Sequence, residues 1–390
     1  MNGAPQALRI ALVRARYNPY GGAERFAERA LATLGAQAGR GLQVSVIARR
    51  WEGQALPAGV EWLRCDPFYL GSVWRERSFA RAVHGIVAAR GFDLVQSHER
   101  IPGLPVYRAG DGVHAAWLER RAVGMTRWQR AGLMLNPLHR HLVATERAMF
   151  EHPALRAVIC NSRMVKGEIA ARFAIDAARL HVIPNGIDLA VYHPAVKAAH
   201  RQRMRAQLGI APDAPVFLSV GSGFARKGVA AALAALARVP GEARLVVVGG
   251  DRHAERYRGE ARALGIDGRV LFAGPQQETL PWYGMADVFI LPTVYDPFPN
   301  AALEAWACGL PVLTSSGCGA QEAVIEDVNG WVRDPHDVAG IADAMERAQG
   351  ALRADPEGLV AAARAAALPY SLEALGAALL DLYRGLIGAR

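Results

Sequence analysis

At 390 residues, with 52% hydrophobic and 21% charged side chains, the chain exceeds one ordinary core and is too apolar to be disordered; two globular domains are expected. Its 45 basic and 36 acidic residues leave a formal charge of +9, which implies an anionic partner: a phosphorylated substrate, an anionic lipid surface or, least supported for want of any RNA- or DNA-binding motif, nucleic acid. Cys65, Cys160, Cys308 and Cys318 lack metal or disulfide spacing, no stretch approaches the roughly 18 apolar residues of a membrane span, and the first twenty residues do not form a secretory signal, so a cytosolic location is expected.

Short apolar runs alternate with helical patterns along the chain. Residues 8–13, 44–48, 92–96, 157–160 and 181–183 read as buried strands, with a helix over 23–34. Pro184, Asn185 and Gly186 signal a turn, and a polar helix over 195–208 ends in Gly209. A second set of strands follows at 216–220, 245–248, 270–272, 288–291 and 311–314, with helices over 228–237 and 301–307. Strand–helix alternation of this kind predicts two parallel sheets. The last segment, "PYSLEALGAALLDLYRGLI" (369–387), has an amphipathic helical pattern.

Each set of strands is followed at its start by a glycine pair: Gly21 and Gly22 in "NPYGGAERFAERAL", Gly221 and Gly223 in "VGSGFARKGV". A dinucleotide fingerprint would have a third glycine three residues after Gly223; Arg226 stands there, with Lys227 next. A helix starting near Gly228 would aim unsatisfied N–H groups at the same spot, which suits a diphosphate; the bland alternative is an exposed basic turn. Farther on, "YDPFPNAALEAWACGLPV" (295–312) holds Asp296 and Glu304, with a helix starting at Pro299 or Asn300. A carboxylate in a first helical turn can accept the two vicinal hydroxyls of a ribose, or merely complement the helix dipole.

Together, "GSGFARKGV", "DPFPNAALEAWACGLPVL" and "GWVRDP" resemble the retaining GT-B glycosyltransferases of the family 4 type, which build lipopolysaccharide, mannan and sucrose-type linkages. The resemblance extends through "YNPYGGAERFAERAL" and "VICNSRMVKGEI…HVIPNGID". Within that family, "WEG", "PGLPVYRAGDGVHAAWLERR" and "ERAMFE" look most like the lipopolysaccharide core glucosyltransferases that act on an inner-core heptose.

The resemblance implies an α/β GT-B fold, two Rossmann-like domains whose parallel sheets face each other across a cleft. Residues 1–190 would form the acceptor domain, 191–368 the nucleotide-sugar domain, and 369–390 a helix packing back on the first. Arg226 and Lys227 would bind the donor diphosphate and Glu304 the ribose. Asp296 takes the first acidic position of the family's E-x7-E motif, where Glu is usual. Asn300 and Ala301 would offer backbone N–H groups, Gly21 and Gly22 would let a loop approach the donor phosphate, and Asp111 in "AGDGVH" matches a polar position near the transferred sugar. His114, three residues on, is a weaker candidate. The donor would be UDP-glucose, the acceptor the lipopolysaccharide core, and no cofactor is implied.

No D-x-D motif or histidine cluster occurs, so a metal ion is not expected, and Arg226, Lys227 and helix N-termini would meet the diphosphate charge. A front-face retaining path, in which the departing phosphate takes the acceptor proton, is implied. Segment 114–141 interleaves Trp117 and Trp128 with Arg120, Arg121, Arg127 and Arg130, a composition suited to an anionic membrane surface; the alternative is a solvated helix face. A protein peripheral to the bacterial inner membrane follows. The rival functions are a transferase of the same fold with another acceptor, a sugar-nucleotide epimerase, and a non-catalytic binding protein.

Overall fold

The valine-, isoleucine- and leucine-rich runs form strands because such side chains fill both faces of a sheet covered by helices. The computed structural model describes residues 8–17, 42–51, 56 and 59–388; the helix expected over 23–34 lies outside the described residues. The chain divides into two units, Met1–Gly186 with Leu372–Arg390, and Ile187–Ser371, against the 190 and 368 read from the sequence. Both crossings meet at one place: Ile187 bridges Ser371 and donates its N–H to the Tyr370 carbonyl at 2.8 Å.

The strands of the first unit are β1 (Leu8–Val13), β2 (Arg16–Tyr17), β3 (Leu42–Ala48), β4 (Arg50–Trp51), β5 (Val60–Arg64), β6 (Leu94–Ser97), β7 (Val106–Ala109), β8 (Ala157–Cys160) and β9 (Leu180–Val182). Seven form one parallel sheet in the order β5-β3-β1-β6-β7-β8-β9, and β2 pairs with β4. Alternate residues face opposite layers. Ile10, Leu12, Val44 and Leu94 pack with Leu375, Leu379 and Tyr383 of the helix Leu372–Gly388, while Ala11, Val13, Ile47 and Val95 pack with Phe79 and Val83 of the helix Ser72–Arg90. The C-terminal helix is therefore part of the first unit's core.

The second unit holds β10 (Val216–Val220), β11 (Arg244–Val248), β12 (Val270–Gly274), β13 (Val288–Leu291), β14 (Val312–Ser315) and β15 (Gly330–Arg333). All six are parallel, in the order β12-β11-β10-β13-β14-β15. Numbered from β10, this is 3-2-1-4-5-6, the doubly wound Rossmann order, whose ligand crevice opens where the winding reverses, between β10 and β13. At the opposite, amino end of β13, buried Asp287 accepts from Arg205 and Arg201, both at 2.6 Å, and from the Val216 N–H at 2.9 Å. This cluster ties the helix Val196–Gln207 to the sheet.

Candidate functional site

The loops after β10 and β13 meet at the switch point. After β10 the chain makes one helical turn, Phe224–Lys227, and then the helix Val229–Leu236 begins one residue later than the expected 228. Gly228 joins the two at φ 75°, left-handed backbone that favours glycine, and a Cβ there would overlap the Pro292 carbonyl. The close approach lets the Arg226 carbonyl accept from the Val294 N–H (2.9 Å) and the Thr293 hydroxyl (2.7 Å), so the two loops are fastened together.

Lys227 Nζ donates to Asp296 Oδ2 at 2.6 Å, and Arg226 donates to the same oxygen at 2.9 Å and to the Tyr295 carbonyl at 3.2 Å. Lys227 and Asp296 are buried, whereas the Arg226 side chain is 39% exposed. Asp296 is pinned through its backbone: its N–H donates to the Gly317 carbonyl and its carbonyl accepts from the Gly319 N–H. Burial pushes the Asp296 carboxyl up, but Lys227 and then Arg226 outweigh that and hold it below the usual carboxylate value. Two cations and one carboxylate leave a net positive charge aimed at the crevice.

The helix Asn300–Ala307 starts where expected, but Glu304 is its fifth residue, in the second turn and not the first. Its carboxylate is 1% exposed and accepts from the buried Tyr283 hydroxyl at 2.9 Å, a partner 21 positions away that nothing in the sequence pattern indicated. Asn300 is buried and Ala301 half-buried in the first turn, where helix geometry leaves backbone N–H groups without intrahelical acceptors. Arg226, Lys227, Asp296, Asn300, Ala301 and Glu304 thus all belong to the second unit. Gly21 and Gly22 lie outside the described residues.

Asp111 belongs to the first unit, exposed in the turn after β7. Beneath that turn Arg108, buried inside the β7 run, donates to Asn185 Oδ1 at 2.5 Å, and burial lowers its guanidinium to about 9. His114 opens the helix His114–Arg121; its N–H donates to Glu146 Oε1 at 2.7 Å and its ring lies 3.1 Å from His139 Nδ1. Burial first, then Arg100 and His139, lower the His114 imidazole to about 4, so it is neutral near pH 7. Glu146, fully buried, also accepts from Arg100 at 2.9 Å. The sequence reading missed Arg108 and Glu146; the one signal was an arginine inside an otherwise apolar strand run. Among the described residues, no group of three His, Cys, Asp or Glu side chains could hold a metal ion.

In segment 114–141 two of the charged groups are paired outside the segment. Arg120 pairs with Glu168 at 3.1 Å, Glu119 with Arg172, and Trp117 is half-buried under Arg121 (5.0 Å) and beside His114. On the helix Arg127–Leu135, Trp128 is 88% exposed, with Arg127, Arg130, Met134 and Leu135 exposed near it. Among the described residues, no helix is long and apolar enough to cross a membrane.

A Rossmann-ordered sheet with cations at its switch point, in one chain with a second parallel sheet, is the arrangement of the GT-B class. Two family profiles divide the chain between them: "Glycosyltransferase Family 4" over residues 20–191 and "Glycosyl transferases group 1" over residues 200–351. The chain belongs to these GT-B glycosyltransferases. It is 27% identical over 314 residues to the lipopolysaccharide glucosyltransferase WaaG of Escherichia coli K12, covering 80% of this chain and 81% of that enzyme. A crystal structure of WaaG superposes with a TM-score of 0.80 at 26% identity, over 96% of this chain and all of the other.

A D-inositol 3-phosphate glycosyltransferase of Xylanimonas cellulosilytica is 35% identical over 238 residues, which span 58% of this chain and only 56% of that protein. Anabaena HepE, solved with UDP-glucose, shares the fold with a TM-score of 0.70 at 19% identity, over 96% of this chain and 99% of the other.

Proposed function

We propose that this protein transfers glucose from UDP-glucose, with retention, to an inner-core heptose of lipopolysaccharide. The observation that carries the reading is the Arg226–Lys227–Asp296 cluster at the switch point of the second sheet. Its similarity to WaaG over four-fifths of both chains supports the acceptor, and the UDP-glucose bound to a protein of the same fold supports the donor.

In this reading the donor diphosphate takes over the hydrogen bonds that Arg226 and Lys227 give to Asp296, and Glu304, oriented by Tyr283, accepts the ribose hydroxyls. The C1–O bond to the β-phosphate breaks and a bond from C1 to the acceptor oxygen forms on the same face. The acceptor's proton passes to the departing phosphate oxygen, and UDP leaves. The fixed cations of Lys227, which is buried, and Arg226 stabilise the charge that develops on that phosphate, the role a metal ion fills elsewhere. Asp111 contacts the sugar undergoing transfer, and the exposed Trp128 with Arg127 and Arg130 holds the enzyme against an anionic membrane, where a lipid-linked acceptor is found.

The test is a thermal-shift panel of UDP-, ADP- and GDP-sugars, followed by transfer assays with EDTA present. Acceptors would be a heptose-bearing core oligosaccharide and inositol 3-phosphate. UDP-glucose should raise the melting temperature most. Glucose should reach the heptose alone, with or without EDTA. Transfer to inositol 3-phosphate, or turnover of donor without acceptor, would replace this reading.

A further inference from the structure

We propose a second sugar-binding subsite on the first unit, which takes an anionic sugar of the acceptor at a position removed from the reacting hydroxyl. The proposal rests on the acceptor reading above. A pocket of about 320 Å3 opens between Arg16, Arg50, Asp66, Phe68 and Tyr69, with Arg49 as its floor.

Arg16 and Arg50 are direct register partners in the parallel β2–β4 pair, so their side chains leave the same face side by side. Like charges so placed repel unless an anion lies between them. Among the described residues no carboxylate pairs with either; Arg16 donates only to the Tyr69 hydroxyl, at 3.4 Å. The acid of the lining, Asp66, is taken by Arg49 at 3.1 Å.

The walls are held in place. Arg49, 2% exposed, donates to the Pro67 and Arg75 carbonyls and to Ser78 and stacks on Tyr69 at 4.8 Å, which fixes the loop after β5. On that loop Phe68 is 73% exposed and meets Trp74, 47% exposed, edge to face at 5.8 Å. The Phe68 and Tyr69 rings beside two guanidinium groups suit a ligand with one apolar face and one anionic substituent. A phosphorylated sugar or a sugar acid is such a ligand.

The location agrees. The pocket lies past the carboxyl ends of β1, β3 and β5, the same edge of the same sheet as Asp111 after β7. Two to four strand spacings separate them, roughly 10–19 Å, so the ring bound here is at least two sugars from the ring that reacts. Binding energy from such a remote group can be spent at the reacting centre.

The full chain, as wild type, Arg50→Gln and Phe68→Ser, is titrated with glucose 6-phosphate, glucuronate and glucose, followed by calorimetry and saturation-transfer NMR. Circular dichroism and urea unfolding of the full chain, read in parallel, report that each variant is folded. The two anionic sugars should bind and glucose should not; whichever anion binds tighter identifies phosphate or carboxylate as the natural substituent. Arg50→Gln should weaken the anions about tenfold, and Phe68→Ser should remove the saturation transfer to ring protons. Equal binding of glucose, or unchanged binding in either variant, overturns the subsite. So does loss of binding to phosphatidylglycerol vesicles in these variants with anionic-sugar binding intact, which would make the patch a lipid contact. If the sugars bind as described but no glucose is transferred to heptose, the proposed function fails and the subsite stands.

Discussion

Replacing Lys227 by Ala removes the ammonium that lies 2.6 Å from Asp296 and is buried with it. In the free protein the buried carboxylate keeps Arg226 at 2.9 Å, so the cost falls short of the ~3–5 kcal/mol for breaking a buried pair outright. In the transition state the loss is that of one charge-assisted donor on a buried ammonium, about 2–4 kcal/mol, or about 30- to 900-fold in kcat. The two effects separate in the double variant Lys227→Ala with Asp296→Asn. Neutralising the acid should recover most of the stability measured by urea unfolding, because no charge is left buried without its partner. It should recover none of the lost turnover, because the cation that holds the leaving group is still missing. If the double variant regains both stability and turnover, or the single variant turns over like wild type, Lys227 serves only to neutralise Asp296.

Glu304→Ala should weaken UDP and UDP-glucose by the same factor in calorimetry, and Tyr283→Phe should do so more mildly, about 0.5–1.5 kcal/mol, through loss of the hydrogen bond that orients Glu304. Asp287 and Asp296 both have folded-state values below the ordinary carboxyl: burial raises them, but their arginine and lysine partners outweigh it. Depressed values mean the unfolded chain binds protons first as the pH falls. Their contribution is complete above the ordinary carboxyl value of about 4 and is lost as the pH drops through the folded values, so Asp287→Asn should flatten the acid limb of stability against pH in urea titrations. Trp128→Ser with Arg127→Ser should lower co-sedimentation with phosphatidylglycerol vesicles, each arginine contributing about 1 kcal/mol, while Arg120→Ser should not, since Glu168 already holds that side chain.

Most strands that could be read from the sequence are continuous apolar runs buried on both faces; the half-buried edge strands β9 and β12 were legible too. Five others escaped: β2 and β4 are two residues each, too short for a pattern, and the remaining three have identifiable reasons. In β5, "VEWLR" lies at the sheet edge and carries charges among its apolar residues; in β7 and β15, "VYRA" and "GWVR" each contain an arginine that masks the run. In the candidate site the residue types were legible and their relations were not. Arg226 and Asp296 are 70 positions apart, and only the winding order brings β10 and β13 together as neighbours. The second-turn position of Glu304 and its bond to Tyr283 depend on where the helix starts and on packing against a helix 15 to 20 residues earlier. The charge of segment 114–141 keeps its net value but not its distribution, because a tally cannot see Glu168, 48 residues beyond Arg120, or Arg172, which takes Glu119.

The most direct measurement of the central claim is the anomeric configuration of the product. The purified protein is given UDP-glucose and a heptose-bearing core oligosaccharide, and the new glycosidic proton is followed by NMR from the first minutes of reaction. The account predicts that UDP appears in step with an α-glucoside on the heptose, in EDTA as well as without it, and that Lys227→Ala slows both together. A β-linked product, a requirement for added divalent metal, or conversion of UDP-glucose to another UDP-sugar with no acceptor consumed would contradict it.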